Sequence, residues 1–178
     1  MKTQQKDYKN TPEEEQHKKE EKVRNNQVIV FKLAGEEYAL FIDQIKEVVP
    51  TPNIAKVPLT PSYVKGLANI RGNILSIIDL EDKFGMKVSK VESKKASYTL
   101  VVESKEYNMA VLVEDVPNTL SVADDEIDYS TSVIAEATNN GNYIKGIIKL
   151  EERLIILIDV FSIITKEDLA QNNASGVI

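Results

Sequence analysis

The sequence predicts a mainly β protein in which two small barrels, accompanied by short helices, close around a shared core. The first observation is a weak duplication: residues 63–80 read YVKGLANIRGNILSIIDL, and residues 143–160 read YIKGIIKLEERLIILIDV. The second is that each copy consists of apolar runs separated by turn residues, which is typical of β-hairpins. A single hairpin is marginally stable in water, so several must pack together, and barrel closure also removes exposed strand edges.

The composition fits a globular domain of ordinary size. The chain has 178 residues, of which 42% are hydrophobic and 28% are charged. A chain of this length buries roughly 70% of its unfolded surface, which is enough for a core. Because the first residues are polar and densely charged, residues 1–26 are predicted to be a disordered tail. Residues 27–166 then form the double-barrel domain, and residues 167–178 form a C-terminal tail.

The first copy opens with a predicted hairpin. Two apolar runs, residues 28–33 and residues 38–42, flank a Gly-Glu pair that suits a turn. Directly afterwards Ile45, Val48 and Val49 recur at helical spacing. This spacing predicts one turn of helix at most.

A proline-rich connector and a second hairpin follow. Four of the six prolines lie within residues 50–61, and this density predicts an extended, stiff segment. The apolar runs at residues 66–70 and 74–78 are joined by a tight turn in which Gly72 can adopt positive φ. Asp79 then suits the N-cap of a short helix.

The second copy repeats this order. Strands resume after residue 97, and an acidic loop leads to the second repeat, where Asp159 occupies the position of Asp79. A final helix is predicted over residues 160–169. The equivalent of the Arg71-Gly72 turn is Glu151-Glu152, so the two copies differ in charge at this turn.

Several functional classes are disfavoured by composition. The net charge of −6 and the pI of about 5.0 argue against a nucleic-acid partner. There is no cysteine for a disulfide or a thiolate nucleophile, and the single histidine lies in the charged tail. Phosphate-binding glycine motifs and metal-ligand spacings are missing, so no cofactor and no bound metal are expected. No apolar run is long enough for a signal peptide or a membrane span, which indicates a cytoplasmic protein without direct membrane insertion.

Asp79 and Asp159 permit two interpretations. Both follow an apolar strand, and a pair of carboxylates could perform acid–base catalysis. However, each also stands at the start of a short helix, where an aspartate accepts backbone N–H groups and faces the positive end of the helix dipole. Helix capping is the favoured interpretation, and an enzyme that uses these two aspartates remains the alternative.

Arg71 and Asn69 are the strongest candidates for a function on the surface. They lie at a hairpin turn in one copy only, whereas the apolar pattern of the two copies is the same. From its position alone, a solvated turn residue is the favoured interpretation of Arg71. A duplicated fold that changes one turn nevertheless gains an asymmetric site, because loops carry function while the barrel supplies rigidity.

At these residues the sequence resembles the CheW family of chemotaxis coupling proteins. YVKGLANIRGNILSIIDL is similar to the family pattern F-I-K-G-V-x-N-L-R-G-x-I-V-P-I-x-D-L, and YIKGIIKLEERLIILIDV is similar to G-x-x-K-L-x-D-R-L-I-I-L-L-D. VFKLAGEEYALFIDQIKEVV resembles the opening F-x-L-x-x-x-x-Y-A-I-x-I-x-x-V-x-E-I. The likeness spans about residues 27–165, with one departure: the proline of the first pattern is Ser76 here.

The resemblance implies a fold and an activity. Members have two five-stranded, SH3-like β-barrel subdomains around a shared core, and they are not enzymes. They couple the cytoplasmic tips of methyl-accepting chemotaxis receptors to the regulatory domain of the histidine kinase CheA, in the cytoplasm and at membrane-associated receptor arrays. The positions that match the family's receptor-binding region are Ile45, Glu47, Gly66, Asn69, Arg71 and Gly72. No kinase-binding positions follow from the motifs, and a CheW-like module that scaffolds another signalling kinase is the alternative function.

Overall fold

The computed structural model describes residues 25–86, 97–105, 108–130 and 143–163. The strands are β1 (Asn25–Leu33), β2 (Glu36–Phe41), β3 (Ile45–Pro50), β4 (Val64–Ile70), β5 (Asn73–Ile78), β6 (Tyr98–Val102), β7 (Met109–Val113), β8 (Asn118–Ala123), β9 (Ile127–Asp128), β10 (Ile144–Leu150) and β11 (Arg153–Ile158). Two short helices follow β5 and β11, namely α1 (Leu80–Lys83) and α2 (Val160–Ile163). Single 3-10 turns, Ile42–Gln44 and Asp124–Glu126, precede β3 and β9.

The strands form two sheets in which corresponding strands occupy corresponding places. The middle barrel has the strand order β3-β6-β7-β5-β4. The terminal barrel, whose strands come from both ends of the described chain, has the order β8-β1-β2-β11-β10-β9. Each barrel therefore inserts the first hairpin of one copy between strands of the other copy. The predicted pair of SH3-like barrels is confirmed, and the terminal barrel carries the two-residue β9 as an additional strand.

The two copies meet through parallel pairing at equivalent places. In the terminal barrel β2 runs parallel to β11, with Tyr38 opposite Ile156. In the middle barrel β5 runs parallel to β7, with Ser76 opposite Met109. The backbone N–H of Ser76 donates to the carbonyl of Asn108 at 2.9 Å. A proline at this position, as in the family pattern, lacks the N–H that makes this bond.

Three apolar clusters explain why the strands read as nearly continuous hydrophobic runs. Alternate residues of β1 point in opposite directions. Val28 and Val30 fill the interior of the terminal barrel, whereas Ile29 and Phe31 join the core that both barrels share. A third cluster fills the middle barrel. Since the central strands are buried on both faces, the predicted shared core is confirmed.

The predicted single turn of helix around Ile45, Val48 and Val49 is wrong. These residues lie in β3, which pairs antiparallel with β6. Burial alternates along β3, and the partly buried positions recur every second residue. The helical spacing of three aliphatic residues was misleading because one of them, Val48, faces outward in the strand. The only helical geometry here is the 3-10 turn that ends at Gln44.

The ends of the domain lie partly outside the described residues. β1 begins at Asn25, two residues before the predicted start of the domain, and Asn25 and Asn26 pair with β8. The amide of Asn26 also donates to Asp124 Oδ1 at 2.6 Å. The predicted disordered tail before Asn25 and the predicted C-terminal tail fall outside the described residues. Of the predicted final helix, the structure describes Val160–Ile163.

Candidate functional site

The hairpin turn between β4 and β5 presents Arg71 to solvent. Arg71 and Gly72 have φ values of 51° and 88°, so both turn residues are left-handed, as the favoured two-residue hairpin turn requires. The N–H of Gly72 donates to Asn69 Oδ1 at 2.8 Å, and this bond holds the turn from within. The Arg71 side chain is 77% exposed. The predicted tight turn is therefore confirmed.

Arg71 forms an ion pair across the open seam of the middle barrel. Its Nε lies 2.7 Å from Glu47 Oε2, and the Glu47 side chain is only 22% exposed. Glu47 lies on β3 and Arg71 follows β4, which are the two edges of the same sheet. An ion pair with one exposed partner contributes at most about 1 kcal/mol to folding. Its consequence here is geometric, because the carboxylate places the Arg71 guanidinium beside β3.

The structure brings together four of the six predicted site residues. Glu47, Asn69, Arg71 and Gly72 surround the β4–β5 turn. Ile45 lies on the same strand as Glu47, but it packs against the shared core.

Gly66 occupies a different environment. It lies further along β4, about 16 Å from the turn at the usual rise of a strand. Its φ is 139°, and an added Cβ atom would lie 2.2 Å from the carbonyl oxygen of Ala55 in the proline-rich connector. The close approach of connector and strand accounts for the glycine at this position.

A small cleft opens beside the ion pair at the end of the middle barrel. It has a volume of about 80 Å³, and Glu47 lines it together with the apolar side chains of Ile70 and Leu75. Asn73 and Glu103 contribute polar groups to its wall. Sites for small-molecule ligands usually measure about 300–1,000 Å³, so this cleft is smaller than a typical ligand site. Sequence reasoning missed Asn73 and Glu103, although Asn73 directly follows the Arg71-Gly72 pair.

The terminal barrel lacks this arrangement at the equivalent positions. Glu151 takes the place of Arg71 and is also left-handed, with φ of 47°. Asn118 takes the place of Glu47, because Asn118 pairs with β1 as Glu47 pairs with β6. A glutamate and an asparagine cannot form an ion pair. A cationic turn residue paired with an acidic residue of the opposite edge strand is thus a feature of the middle barrel, on a frame that both barrels share.

Asp79 and Asp159 cap the two helices, which confirms the favoured interpretation. Asp79 Oδ1 accepts the N–H of Asp82 at 3.2 Å, and Asp159 Oδ1 accepts the N–H of Phe161 at 3.1 Å. Equivalent lysines complete the arrangement: Lys65 lies 3.1 Å from Asp79, and Lys145 lies 3.2 Å from Asp159.

The Asp159 carboxyl is held in its ionised form. Burial alone would raise the pKa of Asp159, but hydrogen bonds from Ser162, Lys145 and the Phe161 N–H outweigh burial and hold the pKa below its usual range. The ionised Asp159 carboxylate therefore acts as the acceptor that caps α2.

The described parts of the chain contain neither a metal-binding cluster nor a membrane-spanning helix. No group of three or more histidine, cysteine, aspartate or glutamate side chains is arranged to hold a metal ion within the described ranges. No helix among the described residues is long and apolar enough to cross a membrane.

The fold and the site together define a class: a duplicated double-barrel β domain with an exposed arginine at the β4–β5 turn of one barrel. The sequence pattern of the CheW-like domain family matches residues 27–168. The chain therefore belongs to the CheW-like domain family.

Relatives and a solved structure agree with this assignment. The chain is 32% identical over 141 residues to the chemotaxis protein CheW of Helicobacter pylori, covering 79% of this chain and 82% of the relative. It is 26% identical over 146 residues to CheW of Klebsiella aerogenes, covering 80% of this chain and 83% of the relative. The crystal structure of the scaffolding protein TtCheW from Thermoanaerobacter tengcongensis superposes with a TM-score of 0.68 at 28% identity, covering 82% of this chain and 96% of that chain.

Proposed function

We propose that this protein is a non-enzymatic chemotaxis adaptor that couples transmembrane chemoreceptors to the histidine kinase CheA. Membership of the CheW-like domain family supports the class, and its relatives are named as chemotaxis proteins. The similar solved structure is described as a scaffolding protein. In this role the protein is cytoplasmic and is recruited to receptor arrays by binding the cytoplasmic receptor tip. The regulatory domain of the kinase binds at a separate surface.

The observation that carries the proposal is the Arg71–Glu47 ion pair on the middle barrel. Glu47 engages the Nε of Arg71, so the remaining donors of the exposed guanidinium can face a partner's carboxylates or carbonyl groups. Because Glu47 and the Asn69–Gly72 bond hold the turn, little side-chain freedom is lost on binding. A preoriented arginine is a frequent anchor of protein interfaces.

An exposed aliphatic side chain lies next to the charged turn. Ile74 is 55% exposed and stands directly opposite Asn69 in the β4–β5 ladder. Residues directly opposite each other share one face of a hairpin. The turn therefore offers a charged group and an apolar group side by side. A helical receptor tip, with apolar residues on one face and polar residues beside it, can use both.

The proposal is tested by charge reversal at equivalent turns. We expect Arg71→Glu to weaken binding of a receptor cytoplasmic fragment by roughly 30-fold or more, because it reverses the charge of a recognition residue. Glu151→Arg is the matched control, since it reverses charge at the same turn of the terminal barrel and should leave receptor affinity near wild type. Isothermal calorimetry measures both variants against the receptor fragment and against the regulatory domain of CheA. Arg71→Glu should retain kinase binding.

A charge exchange separates recognition from closure of the barrel seam. The double variant Glu47→Arg with Arg71→Glu restores an ion pair but inverts its polarity. If Arg71 recognises the receptor, the exchange does not restore binding. Restored binding would mean that the pair only closes the barrel. A wild-type protein that binds neither the receptor fragment nor the kinase domain would favour a scaffold for another signalling kinase.

A further inference from the structure

A polar side chain outside the candidate site joins that site to the other barrel. Gln44 ends the 3-10 turn before β3, at the start of the middle barrel's edge strand. Its Nε2 donates to Asp159 Oδ1 at 3.0 Å, across a separation of 115 residues in the chain. Asp159 caps α2, which directly follows β11 of the terminal barrel. The hydrogen bond therefore fixes the start of β3 against the terminal barrel.

Both ends of this hydrogen bond are anchored. The Asp159 side chain is 14% exposed and also accepts from Ser162 Oγ at 2.9 Å and from Lys145. The backbone carbonyl of Gln44 accepts the N–H of Glu103 at 2.8 Å. Gln44 Oε1 is buried and accepts no hydrogen bond from the described residues. The side-chain amide is therefore held through Nε2. A hydrogen bond to an ionised, mostly buried acceptor is among the stronger kinds.

The anchor lies directly before a bulge that leads to Glu47. In the β3–β6 ladder Ile45 pairs with Val102, but Glu47 pairs with Val101, so Lys46 is an extra residue. A bulge changes the direction of the side chains that follow it. The position of Gln44 therefore determines where the bulge begins and where the Glu47 carboxylate points. That carboxylate in turn holds Arg71 Nε.

We propose that Gln44 is a positioning residue for the Arg71 turn: by tying the start of β3 to the helix cap of the terminal barrel, it sets the place of Glu47 and, through Glu47, of Arg71. This inference rests on the proposed receptor-binding function of Arg71. It extends that function because a residue remote from the partner, on the far side of a bulge, determines how the recognition surface is presented. The terminal barrel thereby contributes to a surface displayed by the middle barrel.

The first test compares two losses at the same carboxylate. In the full chain, Gln44→Leu removes the hydrogen bond that Asp159 accepts from the residue before β3. Ser162→Ala removes the hydrogen bond that Asp159 accepts from within α2. We expect Gln44→Leu to weaken calorimetric binding of the receptor fragment by roughly 3- to 30-fold, as for residues that modulate a site without touching the ligand. Ser162→Ala should keep wild-type affinity. Equal weakening by both variants would show that a looser helix cap, and not the position of β3, lowers affinity.

A second variant gives a pH signature that a purely structural role would not produce. Gln44→Glu places a carboxylate against Asp159, which Lys145 on β10 and Ser162 and the Phe161 N–H on α2 also face. At neutral pH the two carboxylates repel each other, so receptor affinity falls. As the pH falls into the acidic range, one proton shared by the pair restores a hydrogen bond. Affinity relative to wild type should then recover, and a ratio that stays constant with pH would contradict the proposal.

A third measurement does not require the receptor. The Arg71 Nε–H resonance is sensitive to the Glu47 carboxylate beside it in the free protein, so Gln44→Leu should shift this resonance and Ser162→Ala should not. If the wild-type protein fails to bind the receptor fragment, the proposed function is wrong, and the resonance alone decides the positioning role. An unchanged resonance together with unchanged affinity in Gln44→Leu would overturn the inference.

Discussion

At the scale of single residues, two glycines of the first hallmark meet different demands. Gly66 combines a φ of 139° with a carbonyl oxygen 2.2 Å from the place of a Cβ atom, so both backbone and packing require it. Gly72 has a φ of 88° and open space around it, so only its backbone conformation matters. The structure therefore explains Gly66 by the close approach of the connector to β4, and Gly72 by the conformation of the β4–β5 turn.

We expect Gly66→Ala to lower the free energy of unfolding by about 3 kcal/mol or more, because strain and a backbone clash add at that position. Gly72→Ala should cost only about 1 kcal/mol, the usual cost of a left-handed residue with a side chain. Urea denaturation of both variants measures the difference. Equal losses would mean that the connector moves away from β4 at little cost.

At the scale of elements, the helix caps show how each copy ends. In both copies a lysine from the Tyr-x-Lys-Gly sequence reaches the aspartate that caps the following helix. In the first copy Lys65 also contacts Asp82, at 2.7 Å. The repeated sequence therefore encodes a hairpin followed by a short helix, whose capping aspartate is paired with a lysine of the hairpin. This unit explains why lysine and aspartate recur together in the two copies.

Asp159 should make the free energy of unfolding decrease as the pH falls into the acidic range. Its pKa is lowered from the ordinary value of 3.8, so the ionised form favours the folded state. Its contribution is therefore complete above the ordinary pKa and is lost as the pH falls through that value toward the lowered one. Compared with Asp159→Asn, the wild type should be more stable at pH 7, and the difference should shrink below about pH 4. Thermal unfolding across this range measures it, and a difference that grows on acidification would contradict the cap.

At the scale of the whole molecule, the shared core makes the two barrels one unit. Ile78 of β5 is fully buried in that core together with Ile158 of β11, its equivalent in the terminal barrel. Four residues before Ile78 in the same strand, Ile74 is 55% exposed. β5 therefore carries one isoleucine in the core and one isoleucine on the surface.

This contrast allows a matched pair of substitutions. Ile78→Asp should prevent folding, because it buries an unpaired charge in the shared core. Ile74→Asp should fold with stability within about 1 kcal/mol of wild type, as for other exposed positions. Circular dichroism spectra and melting curves of the two variants test this. A folded, cooperative Ile78→Asp protein would show that the barrels do not depend on a common core.

Sequence reasoning succeeded where structure is decided locally. The Arg71-Gly72 turn and the aspartate caps depend on neighbouring residues, so their residue types were sufficient. The β3 strand was missed because three aliphatic residues fit helix and strand spacing equally well over so short a span. The Glu47–Arg71 contact joins opposite edges of a sheet, and the Gln44–Asp159 bond joins two copies. Neither can be predicted without knowing which strands pair.

The exchange of hairpins between copies has a consequence for synthesis on the ribosome. The middle barrel has all its strands once β7 has left the exit tunnel, because β3 to β7 are consecutive in the chain. The β1–β2 hairpin, by contrast, pairs with β8, which directly follows β7, and with β11, which is the last of the described strands. Until β11 emerges, the β2 edge is open to wrong partners. In a nascent chain of this protein, β2 therefore remains exposed to wrong pairing until the last described strand has been synthesised.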